Sequence, residues 1–171
     1  MAHLKAMYQY LIVIALGTII FMLDLFEVNS ALFREILLFG ISFGKAAYFI
    51  WLTFSNIRTT AERDFYFHRF VPFVALTVML IILSFAIDFL CLHRIDPAAF
   101  SGNLGDFPCS IITFLYFSVT NFTTAGLGEI NPQTTSARVF VMLELFIGYF
   151  FTILIIANIM QLRESFSKKT R

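Results

Sequence analysis

Residues Thr123 to Glu129 read TTAGLGE and lie between a short apolar stretch, Ile111 to Phe122, and a long one, Val139 to Met160. The chemistry on offer is that of main-chain oxygens. Carbonyls replace the water shell of a cation only where the chain runs extended with successive oxygens on one side. L-residues resist that geometry, so Gly126 and Gly128 are expected to supply positive φ at alternate positions.

Such a strand needs apolar elements on both sides to hold it. The chain has 171 residues, of which 59% are hydrophobic and 13% charged, and its mean hydropathy is +0.84. These are too few polar groups to cover a soluble globule, and the composition is that of a membrane protein, expected to be all-α from the apolar spans below. The 23 Phe residues suit lipid-facing and interhelical packing. A net charge of +1 without basic runs interleaved with aromatics gives no reason to expect a nucleic-acid partner. Four segments are expected to span: Met7 to about Leu23, Ile36 to Phe54, Val71 to Phe89 and Val139 to Met160. Ile111 to Phe122 is too short to cross and is expected to enter and turn back, surrounded by protein. The first segment reads as a span and not a signal peptide, because Asp24-Leu25-Phe26-Glu27 follows it in place of an A-x-A cleavage site.

With both termini inside, Lys5, Arg58, Arg63, Arg69, Arg163, Lys168, Lys169 and Arg171 face the cytoplasm, against Arg34, Arg94 and Arg138 outside. That bias obeys the positive-inside rule and predicts a multi-pass cell-membrane protein whose re-entrant segment opens outward. Ser55 to Phe70 is expected as an internal loop with an interfacial aromatic belt, and His93 to Pro108 as an outer turret without an element of its own.

The stretch Tyr116 to Met160 carries, in order, an aromatic pair, Thr-Thr, Gly-x-Gly, an acid, a proline, an arginine and a glycine midway along the last helix. It resembles the pore loop and inner helix of the potassium channel superfamily, in the form of a bacterial tetrameric cation channel. With the third span as its outer helix, the resemblance implies a pore domain over 71–161, which leaves two N-terminal helices and a linker over 1–70 and a short basic tail over 162–171. It implies a selectivity filter of Thr123, Thr124, Ala125, Gly126, Leu127 and Gly128, with K+ at the carbonyls of Thr124, Ala125, Gly126 and Leu127 and no other cofactor. Glu129 takes the outer mouth, where a ring of acids concentrates cations. Tyr116, Phe117, Thr120 and Glu144 take the filter supports, and Gly148 the gating hinge, with close helix packing as its alternative. A pore helix over roughly Pro108 to Asn121 aims its C-terminal dipole at the cavity. Four such loops make one filter, so a homotetramer in the lipid bilayer passing monovalent cations is the expected assembly.

Leu127 and Ala125 depart from the family's usual TVGYG, and a Thr120 to Glu129 bond would stand where one branch has a carboxyl pair. The expectations are therefore a potassium-conducting channel, a weakly selective Na+/K+ channel, or a nonconducting subunit with a decayed pore loop. No nucleophile, base and acid sit at related helical depths, so an enzyme is not expected. Arg34, Lys45 and Arg58 are too sparse for a voltage sensor. Lys45 is expected to pair with Glu144 or Asp88 or to snorkel. Cys91 and Cys109 read either as inert thiols or as an external disulfide, and His3, His68 and His93 are too scattered for a metal site.

Overall fold

The computed structural model describes residues 31–61, 67–105 and 109–169. The expected first span, Met7 to Leu23, and Pro108 lie outside them. The described chain is mostly helical: α1 (Ala31–Ala61), α2 (Phe67–Ile95), α3 (Cys109–Phe122) and α4 (Thr135–Lys169). Among the described residues two segments are long and apolar enough to cross a membrane, Val74–Ile95 in α2 and Thr135–Ile156 in α4, each of 22 residues with mean hydropathy 2.5. At 1.5 Å per residue each covers about 33 Å, against roughly 30 Å of hydrocarbon. The 14 residues of α3 reach only about 21 Å. Helix α1 covers the residues of the expected second span, Ile36 to Phe54, but is not one of these two segments, and it carries Lys45 near its middle.

Helix α4 starts where Thr134 caps it, its hydroxyl accepting from Ala137 N at 3.3 Å. Helix α3 lies most extensively against α2, and α2 also meets α1. The α2–α3 contact is a phenylalanine cluster. Phe89 of α2 meets Phe117 of α3 with ring centroids 5.0 Å apart, and Phe100 packs edge-on against Phe89, Phe114 and Phe117 at 5.4–5.7 Å. Edge-to-face packing of this kind adds to the area that the rings bury.

Two expected loops are partly elements. Helix α1 runs on to Ala61 and α2 begins at Phe67, with Pro72 inside it, so most of Ser55 to Phe70 is helical. Backbone hydrogen bonding continues past the point where the side chains turn polar. In the turret, α2 extends to Ile95, and a 3₁₀ turn spans Pro97–Ala99, capped by Asp96, whose carboxylate accepts from Ala98 N at 3.0 Å. Strand β1 (Phe100–Ser101) then pairs antiparallel with β2 (Asn131–Pro132). The turret is thus tied to the chain that leaves the TTAGLGE strand. Cys91 is buried and Cys109 exposed, and both are free thiols, so no disulfide links them.

Candidate functional site

The TTAGLGE strand grows out of the C-terminus of α3. Thr124 N donates to Asn121 O at 2.8 Å and Ala125 N to Thr120 O at 2.8 Å, the paired bonds of a Schellman cap. Gly126 N adds a longer bond to the same Thr120 oxygen at 3.3 Å. The residue that such a cap puts in the left-handed region is usually glycine, and here it is Thr124, with φ 58°. Gly126 and Gly128 follow at φ 50° and 75°. Positive φ therefore recurs at 124, 126 and 128, with 125 and 127 on the ordinary side. An alternation of hand turns successive carbonyls toward one side, where an ordinary β-strand alternates them.

Residues 123–129 are all exposed in the single chain. Behind them lies a cavity of about 160 Å³ whose lining includes Tyr116, Thr120, Leu127, Glu129 and Val141. Leu127 points away from the chain's own core and is 61% exposed. Phe117 faces Phe89 and Phe100 and so belongs to the α2–α3 core. Tyr116 instead sits beside Glu129. Desolvation, then the hydrogen bond and charge of that carboxylate, raise its phenol pKa. The Thr120 hydroxyl donates to Phe117 O at 2.9 Å, so the side chain is engaged within α3 while its carbonyl carries the cap.

The C-terminal end of the segment is fixed by its own bonds. Asn131 Nδ2 donates to Gly128 O at 2.9 Å, and Gln133 N to Ala99 O at 2.8 Å. Gly102, in the turret, has φ 133°, and a Cβ there would stand 2.3 Å from Glu129 O. That backbone approach explains the glycine, which carries no motif in the sequence.

Glu144 is fully buried in α4. Its Oε1 is hydrogen-bonded to Ser118 Oγ of α3, which also lies 2.8 Å from Ile82 O of α2. One hydroxyl carries one hydrogen, so Ser118 donates either to Glu144 Oε1 or to Ile82 O, and in the second case the Glu144 contact needs its hydrogen from the carboxyl. Asn121 acts on the same carboxyl, and its Nδ2 and Glu144 Oε2 are buried without a full hydrogen bond. Glu144 thus joins three helices behind the strand. Neither Ser118 nor Asn121 was singled out from the sequence; their signal is a polar pair at i, i+3 on a short apolar helix.

Gly148 lies one turn further along α4, and a Cβ on it would stand 2.6 Å from Phe122 O, at the end of α3. The close-packing alternative therefore has a definite neighbour, the backbone on which the cap is built. Lys45 pairs with Asp88 at 2.6 Å and not with Glu144. Among the described residues no group of three or more His, Cys, Asp or Glu has metal-site geometry.

Residues 75–164, more than half of the chain, match the family model described as an ion channel. No curated protein and no solved structure matches the chain.

Proposed function

Because the chain belongs to the ion channel family and carries a pore module of the potassium channel superfamily, we propose that it is a tetrameric channel conducting K+ through the carbonyls of Thr124, Ala125, Gly126 and Leu127. The observation that carries this reading is the alternation of φ at 124, 126 and 128, because it gives the backbone the one-sided oxygens that dehydrated cations need. Ala125 and Leu127 then contribute carbonyls, and their side chains lie away from the ion path. Glu129 stands at the outer mouth as a ring of acids, one per subunit.

Exposure supports the assembly. Ile112, Tyr116 and Val119 form one open face of α3, and Met142, Phe146, Tyr149 and Ile153 a stripe on α4. Together with the exposed strand they offer neighbouring copies an apolar contact around a common axis. The proposed topology has four spans per chain and both termini in the cytoplasm. It agrees with the hydrogen bond between Glu35 and Ser136, which brings the outer ends of α1 and α4 together.

A second reading, weak selectivity between Na+ and K+, draws on the cavity behind the strand and on the exposure of Leu127. A strand without packing behind it can adjust to ions of different radius. The test is the bi-ionic reversal potential of the full chain in liposomes under K+ and Na+ gradients. A K+-selective channel reverses near the K+ equilibrium potential and a weakly selective one near zero. The absence of flux in wild type, or flux that survives Gly126→Asp, counts against a carbonyl pore altogether.

A further inference from the structure

The carbonyls of the TTAGLGE segment are not all equally free. Among the described residues those of Thr124, Ala125, Gly126 and Leu127 accept no hydrogen bond, whereas Gly128 O accepts one from Asn131 Nδ2 at 2.9 Å. Gly128 repeats the positive φ of Thr124 and Gly126, so the alternation of hand extends one position past Leu127. Its carbonyl is the next of the one-sided set, and it is the one already in use.

The chain around Asn131 is held by the turret. Asn131 lies in β2 opposite Ser101 of β1, Gln133 N donates to Ala99 O at 2.8 Å, and Gln133 Nε2 donates to Ser101 Oγ at 2.6 Å. Glu129 O lies against Gly102, where a Cβ would stand 2.3 Å away. These contacts fix the turn out of the segment, and the asparagine amide reaches back three residues to a main-chain oxygen, as short amide side chains do in turns. A carbonyl oxygen has two lone pairs, so the bond leaves one open. It also puts the positive end of an N–H dipole on that oxygen, and a cation at the open lone pair is repelled by the hydrogen. Where water is excluded this repulsion is weakly screened. Carbonyl shells hold cations by the number and field strength of their dipoles, so Gly128 O is a poorer ligand than the four oxygens before it.

Building on the channel function proposed above, we propose that Asn131 is a specificity-determining residue that ends the ion-binding ring at Leu127: its amide occupies Gly128 O and lowers that oxygen's attraction for K+. The ion nearest the mouth is then held by Leu127 O on one side and by water on the other. A side chain of similar size without a donor releases the carbonyl and adds a fifth ring, which binds K+ entering from outside more tightly.

Glycine labelled with 13C at the carbonyl, combined with 15N-glutamate, marks the Gly128–Glu129 peptide alone, because the chain has a single Gly-Glu pair; 15N-leucine in its place marks Gly126–Leu127, the single Gly-Leu pair. The full chain in lipid bilayers is followed by solid-state NMR while K+ is exchanged for choline at constant ionic strength. In wild type the Gly126 carbonyl shift is expected to follow K+ and the Gly128 shift to stay fixed. In Asn131→Leu the Gly128 carbonyl is expected to follow K+ as well. The external K+ concentration that gives half-maximal inward current is expected to fall about fivefold in this variant, the factor that one ordinary hydrogen bond corresponds to, with the internal value for outward current unchanged. The inference is overturned if Gly128 follows K+ in wild type, or if Asn131→Leu leaves either the Gly128 response or the external half-saturation as in wild type. Should Asn131→Leu not assemble, Asn131→Ala is read by the same criteria. A wild type in which neither carbonyl follows K+ overturns the channel function and this inference together, whereas a wild type in which both do overturns this inference alone.

Discussion

Three backbone positions around the strand need positive φ for different reasons, and those reasons predict different mutants. At Gly126 a Cβ would meet nothing within 4 Å, so Gly126→Ala is opposed only by its φ of 50°, a cost of roughly 1–2 kcal/mol. At Gly102 a Cβ would run into Glu129 O at 2.3 Å, so backbone must move. Gly102→Ala is therefore expected to lower the melting temperature of the detergent-solubilised protein more than Gly126→Ala does. Gly126→Ala is expected to lose K+ flux while remaining folded, and equal thermal losses would contradict this account. Thr124 occupies the same left-handed region without being glycine, held by the cap bonds to Thr120 and Asn121. The brace behind the strand makes a second residue-level prediction. Ser118→Ala strips Glu144 Oε1 of its partner inside the protein, and an orphaned buried polar group costs about 1–3 kcal/mol. Glu144→Gln is expected to cost less, because its amide keeps both a donor and an acceptor within reach of Ser118 and Asn121. Thermal unfolding of the two variants checks the order.

At the scale of elements, the junction of α3 and α4 decides between two roles for Gly148. A Cβ there would stand 2.6 Å from Phe122 O, so Gly148→Ala is expected to push the end of α3 and shift the K+/Na+ reversal potential. A hinge alone predicts an altered open fraction with the reversal potential unchanged, and single-channel recording separates the two. The sequence made α3 and α4 legible because each is an apolar run with clear punctuation: the pore helix expected over Pro108 to Asn121 is observed over Cys109–Phe122. It made the ends of α1 and α2 less legible. Hydropathy falls where a helix leaves apolar surroundings, but its i to i−4 hydrogen bonds do not stop there, so Ser55 to Phe70 read as loop. The β1–β2 pair was illegible because two-residue strands carry no periodicity. The sequence marked Lys45 as an intramembrane charge but could not say which helix lay opposite, so pairing with Asp88 stood beside pairing with Glu144 and snorkelling. The left-handed Thr124 escaped because threonine normally avoids that region, and only the cap formed with Thr120 and Asn121 puts it there.

For the whole molecule, each chain carries one TTAGLGE segment, exposed over 123–129 in isolation, and in the proposed tetramer the ion-binding surface is completed by the other copies. Ions bound by a ring of carbonyls are then ligands of the assembly and not of the free chain. Any ligand of the assembled state stabilises it by mass action, about 2.7 kcal/mol at a hundredfold excess over its dissociation constant. Light scattering, corrected for detergent, is expected to give four copies of the 19.6 kDa chain. The temperature at which this assembly dissociates is expected to rise with K+ concentration. The ion series carries the discrimination, because each functional reading assigns the carbonyl ring a different ligand. A K+-selective pore is stabilised by K+ well above Na+ at equal ionic strength, and a weakly selective pore is stabilised by both alike. A nonconducting subunit with a decayed loop shows no dependence on either beyond what choline at the same ionic strength produces. Gly126→Asp supplies the internal control: it changes the strand and none of the α2–α3 packing, so its assembly is expected to lose the K+ dependence while retaining its mass. A K+ effect that persists in Gly126→Asp would place the stabilising ion elsewhere and remove the support this measurement gives to the filter.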